Sequence, residues 1–149
     1  MIRLMTRIDF YTDTGTDDRL HTAIRLIVKA RSHGKRVVVY TDGPASAAEL
    51  DQRLWTFQQI SFVPHCRAGD TLVSSTPVVI DCQYKNLPHT EILINLHPEC
   101  PPFFQQFERV QEIVSDDETE KQVARQRFRA YRDAGHAPQT VSMGQARNT

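Results

Sequence analysis

Apolar residues recur along this chain in two periods, and the alternation between them predicts its elements. Ile8-Asp9-Phe10-Tyr11 reads as a first strand. Leu20, Ile24, Ile27 and Val28 then repeat at helical spacing, with Thr16 placed to cap the helix, Asp17 and Asp18 favourable in its first turn, and Gly34 placed to stop it. Between Arg36 and Thr41 the run Val37-Val38-Val39-Tyr40 is continuous, as in a strand covered on both faces. Asp42-Gly43-Pro44 turns the chain, Ser46 with Glu49 fits a capping box, and Ala47, Leu50, Leu54 and Phe57 mark the core face of a second helix.

Ile60 to His65 is too short and too close to Pro64 for a helix and reads as extended, as do Val78 to Asp81 and Glu91 to Leu96. Pro98, Pro101 and Pro102 interrupt the chain before Phe103 to Phe107, a candidate short helix. Val110 to Val114 is expected to be the last strand, with Glu112 pointing outward. Ser115 and Glu118 make a second capping box, opening a long helix that Gly135 ends. Strands alternating with helices predict an α/β fold: a single Rossmann-like domain over residues 1–135, its mostly parallel sheet flanked by helices. Residues 136–149 are polar and without periodicity, and are expected to be a mobile tail.

Length and composition narrow the classes. A chain of 149 residues with 40% hydrophobic and 24% charged positions has enough material for one sizeable core. Lys+Arg and Asp+Glu are 18 each, which argues against a non-specific nucleic-acid binder and requires any electrostatic partner to be met by a local patch. No apolar run can span a bilayer, and the first residues lack the apolar core of a signal peptide. The three cysteines, Cys66, Cys82 and Cys100, leave one unpaired in any disulfide scheme, so free thiols in the cytoplasm are the simpler reading.

Catalytic motifs are sparse. No glycine-rich phosphate loop follows a strand, and no G-x-S-x-G is present. His65-Cys66 and His97-x-x-Cys100 do not supply four convergent zinc ligands, so no metal site and no cofactor are expected. Asp9, Asp42 and Asp81 lie in or just after strands, where α/β enzymes place carboxylates; turn and cap chemistry is the competing account.

Two features point to protein contacts instead. At ~100° per residue, Lys121, Arg125, Arg129 and Arg132 fall within an arc of roughly 80° on the last helix, with Phe128 at its edge. Val123, Ala124, Ala130, Tyr131 and Ala134 make the opposite, apolar side. Arg127 falls inside it and must snorkel or find an acid. Such a face suits an anionic partner with an apolar part; a solvated charged face is the alternative. Trp55, out of register with its helix's core face, is either a lid over the core rim or an interface anchor beside Phe62-Val63-Pro64.

In combination these segments resemble the chi subunit family of bacterial DNA polymerase III. The carrying blocks are Gly34-Lys35-Arg36-Val37, Leu50-Asp51-x-x-Leu54-Trp55, Ser61-Phe62-Val63-Pro64-His65, Ile92-Leu93-Ile94-Asn95-Leu96, and the helix from Lys121-Gln122 through Ala130-Tyr131-Arg132 to Gly135. They occur in the family's order from about Ile8 to Gly135. The resemblance implies a non-catalytic, replisome-associated adaptor of the clamp loader. It would pair with the psi subunit and hold the acidic, phenylalanine-tipped C-terminal tail of single-stranded DNA-binding protein.

By that resemblance Lys121, Arg125 and Arg129 face the tail's carboxylates, Val114 and Phe128 line a pocket for its terminal ring, and Trp55, Phe62, Val63 and Pro64 lie on the psi side. Phe128 stands where the family often has Tyr, and Arg129 where relatives have Lys. Direct sequence-specific nucleic-acid binding and membrane association are not expected. The alternative from another class is a small α/β enzyme or nucleotide-binding protein using the strand-end carboxylates. A direct DNA binder working through the basic helix is a third, and it predicts affinity that falls steeply with salt.

Overall fold

The computed structural model describes residues 6–15, 18–56, 65–67, 77–81 and 89–143. Its elements in chain order are β1 (Arg7–Thr12), α1 (Arg19–Ser32), β2 (Val37–Tyr40), α2 (Pro44–Thr56), β3 (His65–Arg67), β4 (Val78–Asp81), β5 (Ile92–Asn95), a 3-10 turn (Phe104–Gln106), β6 (Arg109–Ile113), α3 (Glu118–Asp133) and β7 (Gln139–Ser142). Among the described residues the strands form one seven-stranded sheet in the order β3-β4-β2-β5-β6-β1-β7. Every pairing is parallel, which makes this an α/β fold of the Rossmann-like kind.

Strand alternation builds two cores. Val37, Val39, Ile92, Ile94 and Ile113 point to one face, where Ile24 and Ile27 of α1 and Leu50 and Leu54 of α2 cover them. Ile8, Phe10, Val38, Leu93 and Val110 point to the other, where Phe104, Phe107, Ala124 and Tyr131 close over them. Parallel strands must be joined by crossovers, and here the crossovers carry the cover for both faces.

The helix ends follow the local chemistry, with shifts in position. Gly34, at φ +72°, and Gly135, at φ +94°, take the left-handed conformation just past α1 and α3. Lys35 N–H bonds the Ala30 carbonyl and His136 N–H the Tyr131 carbonyl, so both helices close in the Schellman pattern. The caps at the other ends differ from expectation. Asp18 caps α1, accepting from His21 N–H at 2.8 Å, while Thr16 and Asp17 lie outside the described residues. Asp117, not Ser115, caps α3 by accepting from Glu120 N–H at 3.0 Å. Asp caps as well as Ser, and α3 therefore begins at Glu118. The Ser46 hydroxyl donates to Asp42 Oδ1 at 2.6 Å, and α2 begins at Pro44, ahead of the proposed box.

Two strand expectations are corrected. β6 is not the last strand but an inner one, between β5 and β1. Gln139–Ser142, read from sequence as part of a polar tail, forms β7 on the outer side of β1, and Met143 beyond it is buried. This strand has no hydrophobic alternation to announce it, because its side chains stay mostly at the surface.

Candidate ligand cleft on the last helix

Where α3 docks, its buried face is set by Ala124, Arg127 and Tyr131. Ala130 and Ala134, assigned to the apolar side from sequence, are exposed. The face is therefore centred on an arginine. The reason lies in β6: Val110 and Glu112 share a strand face, and α3 covers it, so Glu112 points inward and is fully buried rather than outward as expected. Its carboxylate accepts from Arg127 Nε at 2.9 Å, Asn95 Nδ2 at 2.8 Å and Tyr131 Oη at 2.6 Å. Arg127 also donates to the Pro98 carbonyl at 3.2 Å, so the acid that Arg127 required is supplied from the sheet.

Burial pushes the Glu112 carboxyl above its ordinary range, against the pull of Arg127 and its other donors. Burial first, and then the neighbouring Glu112 charge, raise the Tyr131 hydroxyl and lift the Cys100 thiol to about 11. The Cys100 thiol rests 3.6 Å from the Arg127 carbonyl. His97 stacks on Tyr40 at 5.0 Å, and its Nδ1 accepts from Glu99 N–H at 3.0 Å. His97 and Cys100 thus both act within the packing of this region.

The buried network fixes α3 on the sheet, with one flank of the helix beside the ends of β1 and β6. There a cleft of about 260 Å³ opens, with Lys121, Ala124, Arg125 and Phe128 on the helix side and Phe10 and Val114 on the sheet side. The Phe128 ring packs on Phe10 at 5.2 Å, tilted by 54°, and remains half-exposed, giving the cleft an aromatic wall. Lys121 lies 3.7 Å from Glu118, whereas Arg125 and Arg129 are exposed and have no acid partner among the described residues. Thr12, Asp13, Asp116 and Thr140 complete the rim.

Asp13 takes positive φ, +56°, and its carboxylate accepts from the Ser142 hydroxyl at 2.6 Å, pinning β7 beside the opening. An apolar ring slot flanked by an unpaired guanidinium and an ammonium can hold a ligand that joins an aromatic group to a carboxylate.

The structure therefore brings Val114, Lys121, Arg125 and Phe128 to one cleft. Arg129 is on the exposed surface of the same helix and does not line it. The sequence reading missed Phe10, which strand alternation places on this face, and Thr140, for which the polar C-terminal segment gave no signal. Phe62, Val63 and Pro64 lie outside the described residues, as does the side chain of Trp55 on α2. Of the strand-end carboxylates, Asp9 is buried against Arg7 at 3.1 Å and Arg109 at 3.0 Å, and Asp42 holds the Ser46 hydroxyl. Both are engaged in structural contacts, and the side chain of Asp81 is among those not described.

A parallel α/β domain with an aromatic, cationic cleft at strand ends is the class defined so far. Within it, residues 5–139 match the family described as DNA polymerase III chi subunit, HolC. The chain is 38% identical over 134 residues to DNA polymerase III subunit chi of Pseudomonas aeruginosa, covering 89% of this chain and 93% of that protein. The Haemophilus influenzae subunit chi is 35% identical over 112 residues, 74% of this chain and 78% of the relative. For Escherichia coli K12 the figures are 37% over 103 residues, 68% and 70%. The chain belongs to the DNA polymerase III chi subunit family.

Proposed function

We propose that this protein is a non-catalytic replication adaptor that works in the cytoplasm. Its α3 cleft would hold the acidic C-terminal tail of single-stranded DNA-binding protein, while the Trp55, Phe62, Val63 and Pro64 side meets the psi subunit of the clamp loader. The observation that carries the first half is the cleft itself. Phe10, Val114 and Phe128 form its apolar part, and Lys121 and Arg125 stand over it, with Arg125 in no ion pair among the described residues. The tail's terminal phenylalanine fits the apolar part, its terminal carboxylate the fork of Arg125, and its upstream acids the exposed Arg129 one turn along. Family membership supports a replication accessory role. For the psi contact the support is the sequence pattern and the resemblance alone.

The test is a titration of a labelled acidic peptide ending in phenylalanine against the intact protein and Arg125→Ala, beside a peptide lacking its last residue. A charged hydrogen bond is worth roughly 1.5–3 kcal/mol, so either change should weaken binding by about ten- to a hundredfold. Equal affinity for both peptides would overturn the assignment of the cleft. For the second half, co-purification with psi should fail for Trp55→Ala with Phe62→Ala while peptide binding is kept.

A further inference from the structure

A larger cleft, of about 430 Å³, lies at the other ends of the same strands, where β1, β5 and β6 begin and α1 finishes. We propose that it is a binding site for a small organic phosphate whose other end carries a hydroxyl or amide. The polar floor is the first ground. Gln111 is 5% exposed, and its side-chain carbonyl oxygen has no hydrogen-bond partner. A buried unpaired amide oxygen is unfavourable and calls for a partner.

Beside it the Tyr11 hydroxyl accepts from Arg109 at 2.9 Å and from Gln111 Nε2 at 3.4 Å. Burial raises Tyr11 above its ordinary range, so it is protonated at neutral pH and keeps a hydrogen to donate. An acceptor and a donor therefore stand side by side, the complement of a ligand hydroxyl or amide.

Charge is the second ground. Arg7, Lys29, Lys35 and Arg109 line the cleft against Glu91 and Glu108. Glu91 is already taken by Arg36, through the backbone N–H at 2.8 Å and Nε at 3.0 Å. Asp9, beneath, is shared by Arg7 and Arg109. Lys29 and Lys35 are exposed and form no ion pair among the described residues, Glu91 acting on Lys35 only at longer range, so both can turn to a dianion. Gly34 and Lys35 N–H groups bond the Arg31 and Ala30 carbonyls, which leaves fewer free acceptors at this end of α1, and the lysines must outweigh the negative end of the helix. Leu26, Ala30 and Ile92 supply an apolar wall for the body of the ligand.

The site is separate from the α3 cleft and stands whether or not that cleft binds a peptide. The test is an amide NMR titration of the full chain with ribose 5-phosphate, glucose 6-phosphate and adenosine 5′-monophosphate, with inorganic phosphate as control. At least one organic phosphate should saturate shifts at Tyr11, Lys29 to Lys35 and Gln111, binding at least tenfold tighter than inorganic phosphate. The double variant Lys29→Ala, Lys35→Ala, both at exposed positions, should weaken it at least tenfold, and Gln111→Leu at least fivefold. Absence of saturation with all three probes, inorganic phosphate binding equally well, or undiminished affinity in the double-lysine variant would each overturn the proposal.

Discussion

Arg125 and Arg127 stand two positions apart on α3, and the helix turn between them sends them to opposite sides. Arg127 is 4% exposed and bound to Glu112, within a cluster that also includes Asn95 and Tyr131. Arg125 is exposed at a cleft wall and forms no ion pair among the described residues, although Asp13 and Asp116 stand on the same rim. Residue type is the same; the neighbour decides the role. A buried guanidinium that finds its carboxylate is part of the frame, and removing either partner strands a charge. An exposed guanidinium without a carboxylate costs the fold nothing and is free to meet one from another molecule.

The contrast can be broken most forcefully at Glu112. Glu112→Ala should destabilise the protein by roughly 3–5 kcal/mol in denaturant unfolding, because Arg127 and Tyr131 lose their acceptor. The triple variant Glu112→Leu, Arg127→Met, Tyr131→Phe, which removes the donors along with their acceptor, should recover most of that loss; if it does not, the cluster is more than a mutual solution to burial. Tyr131→Phe removes one bond to the charged group and should cost about 1.5–3 kcal/mol by the same measurement.

Arg125→Ala should stay within about 0.5 kcal/mol of the parent while losing the peptide, and a comparable loss of stability would erase the distinction between the two arginines. Glu91 gives a surface reference for the scale. Its carboxyl is held below its ordinary value of 4.5 by hydrogen bonds from Arg36. A lowered carboxyl contributes stability above pH 4.5, and loses it as the pH falls through the lowered value. Glu91→Gln should therefore lower the melting temperature slightly at pH 7, by the equivalent of about 0.2–1 kcal/mol, and not at all in strong acid. Finally, with its thiol pushed up to about 11, Cys100 should resist iodoacetamide at pH 8 until the protein is denatured, as read by peptide mass spectrometry.

Much of this frame is legible in the chain, and the places where it is not have physical causes. Val37-Val38-Val39 and Ile92-Leu93-Ile94 announce inner parallel strands because both faces are covered. Gly34 and Gly135 announce helix ends because positive φ favours glycine. The cationic, aromatic face of α3 was visible in its periodicity, and that periodicity brings Lys121, Arg125 and Phe128 to one cleft. Glu112 was misread because an acid in a strand normally marks the solvent face; only its pairing with Arg127, across a loop and a helix, reverses the sign. β7 was missed because an edge strand with exposed side chains has no apolar pattern, and its docking depends on contacts with β1, more than a hundred positions away. The second cleft was invisible for the same reason: Arg7, Lys29, Lys35 and Arg109 come from separate elements that meet only in the folded sheet.

The place of β1 in the sheet has a consequence for how the molecule is made. Its neighbours are β6 and β7, which begin at Arg109 and Gln139. During synthesis Ile8 and Phe10 emerge about a hundred positions before β6 and wait, as an apolar strand with two open edges, while the residues between are added. The β2, β4 and β5 group can pair first, since its strands all precede β6. Pairing β1 with β6 then closes a loop of about a hundred residues, a slow step by contact order. The first strand is therefore secured after its inner neighbours, with only β7 to follow, and the interval before it pairs is when a growing chain of this protein is most exposed to aggregation.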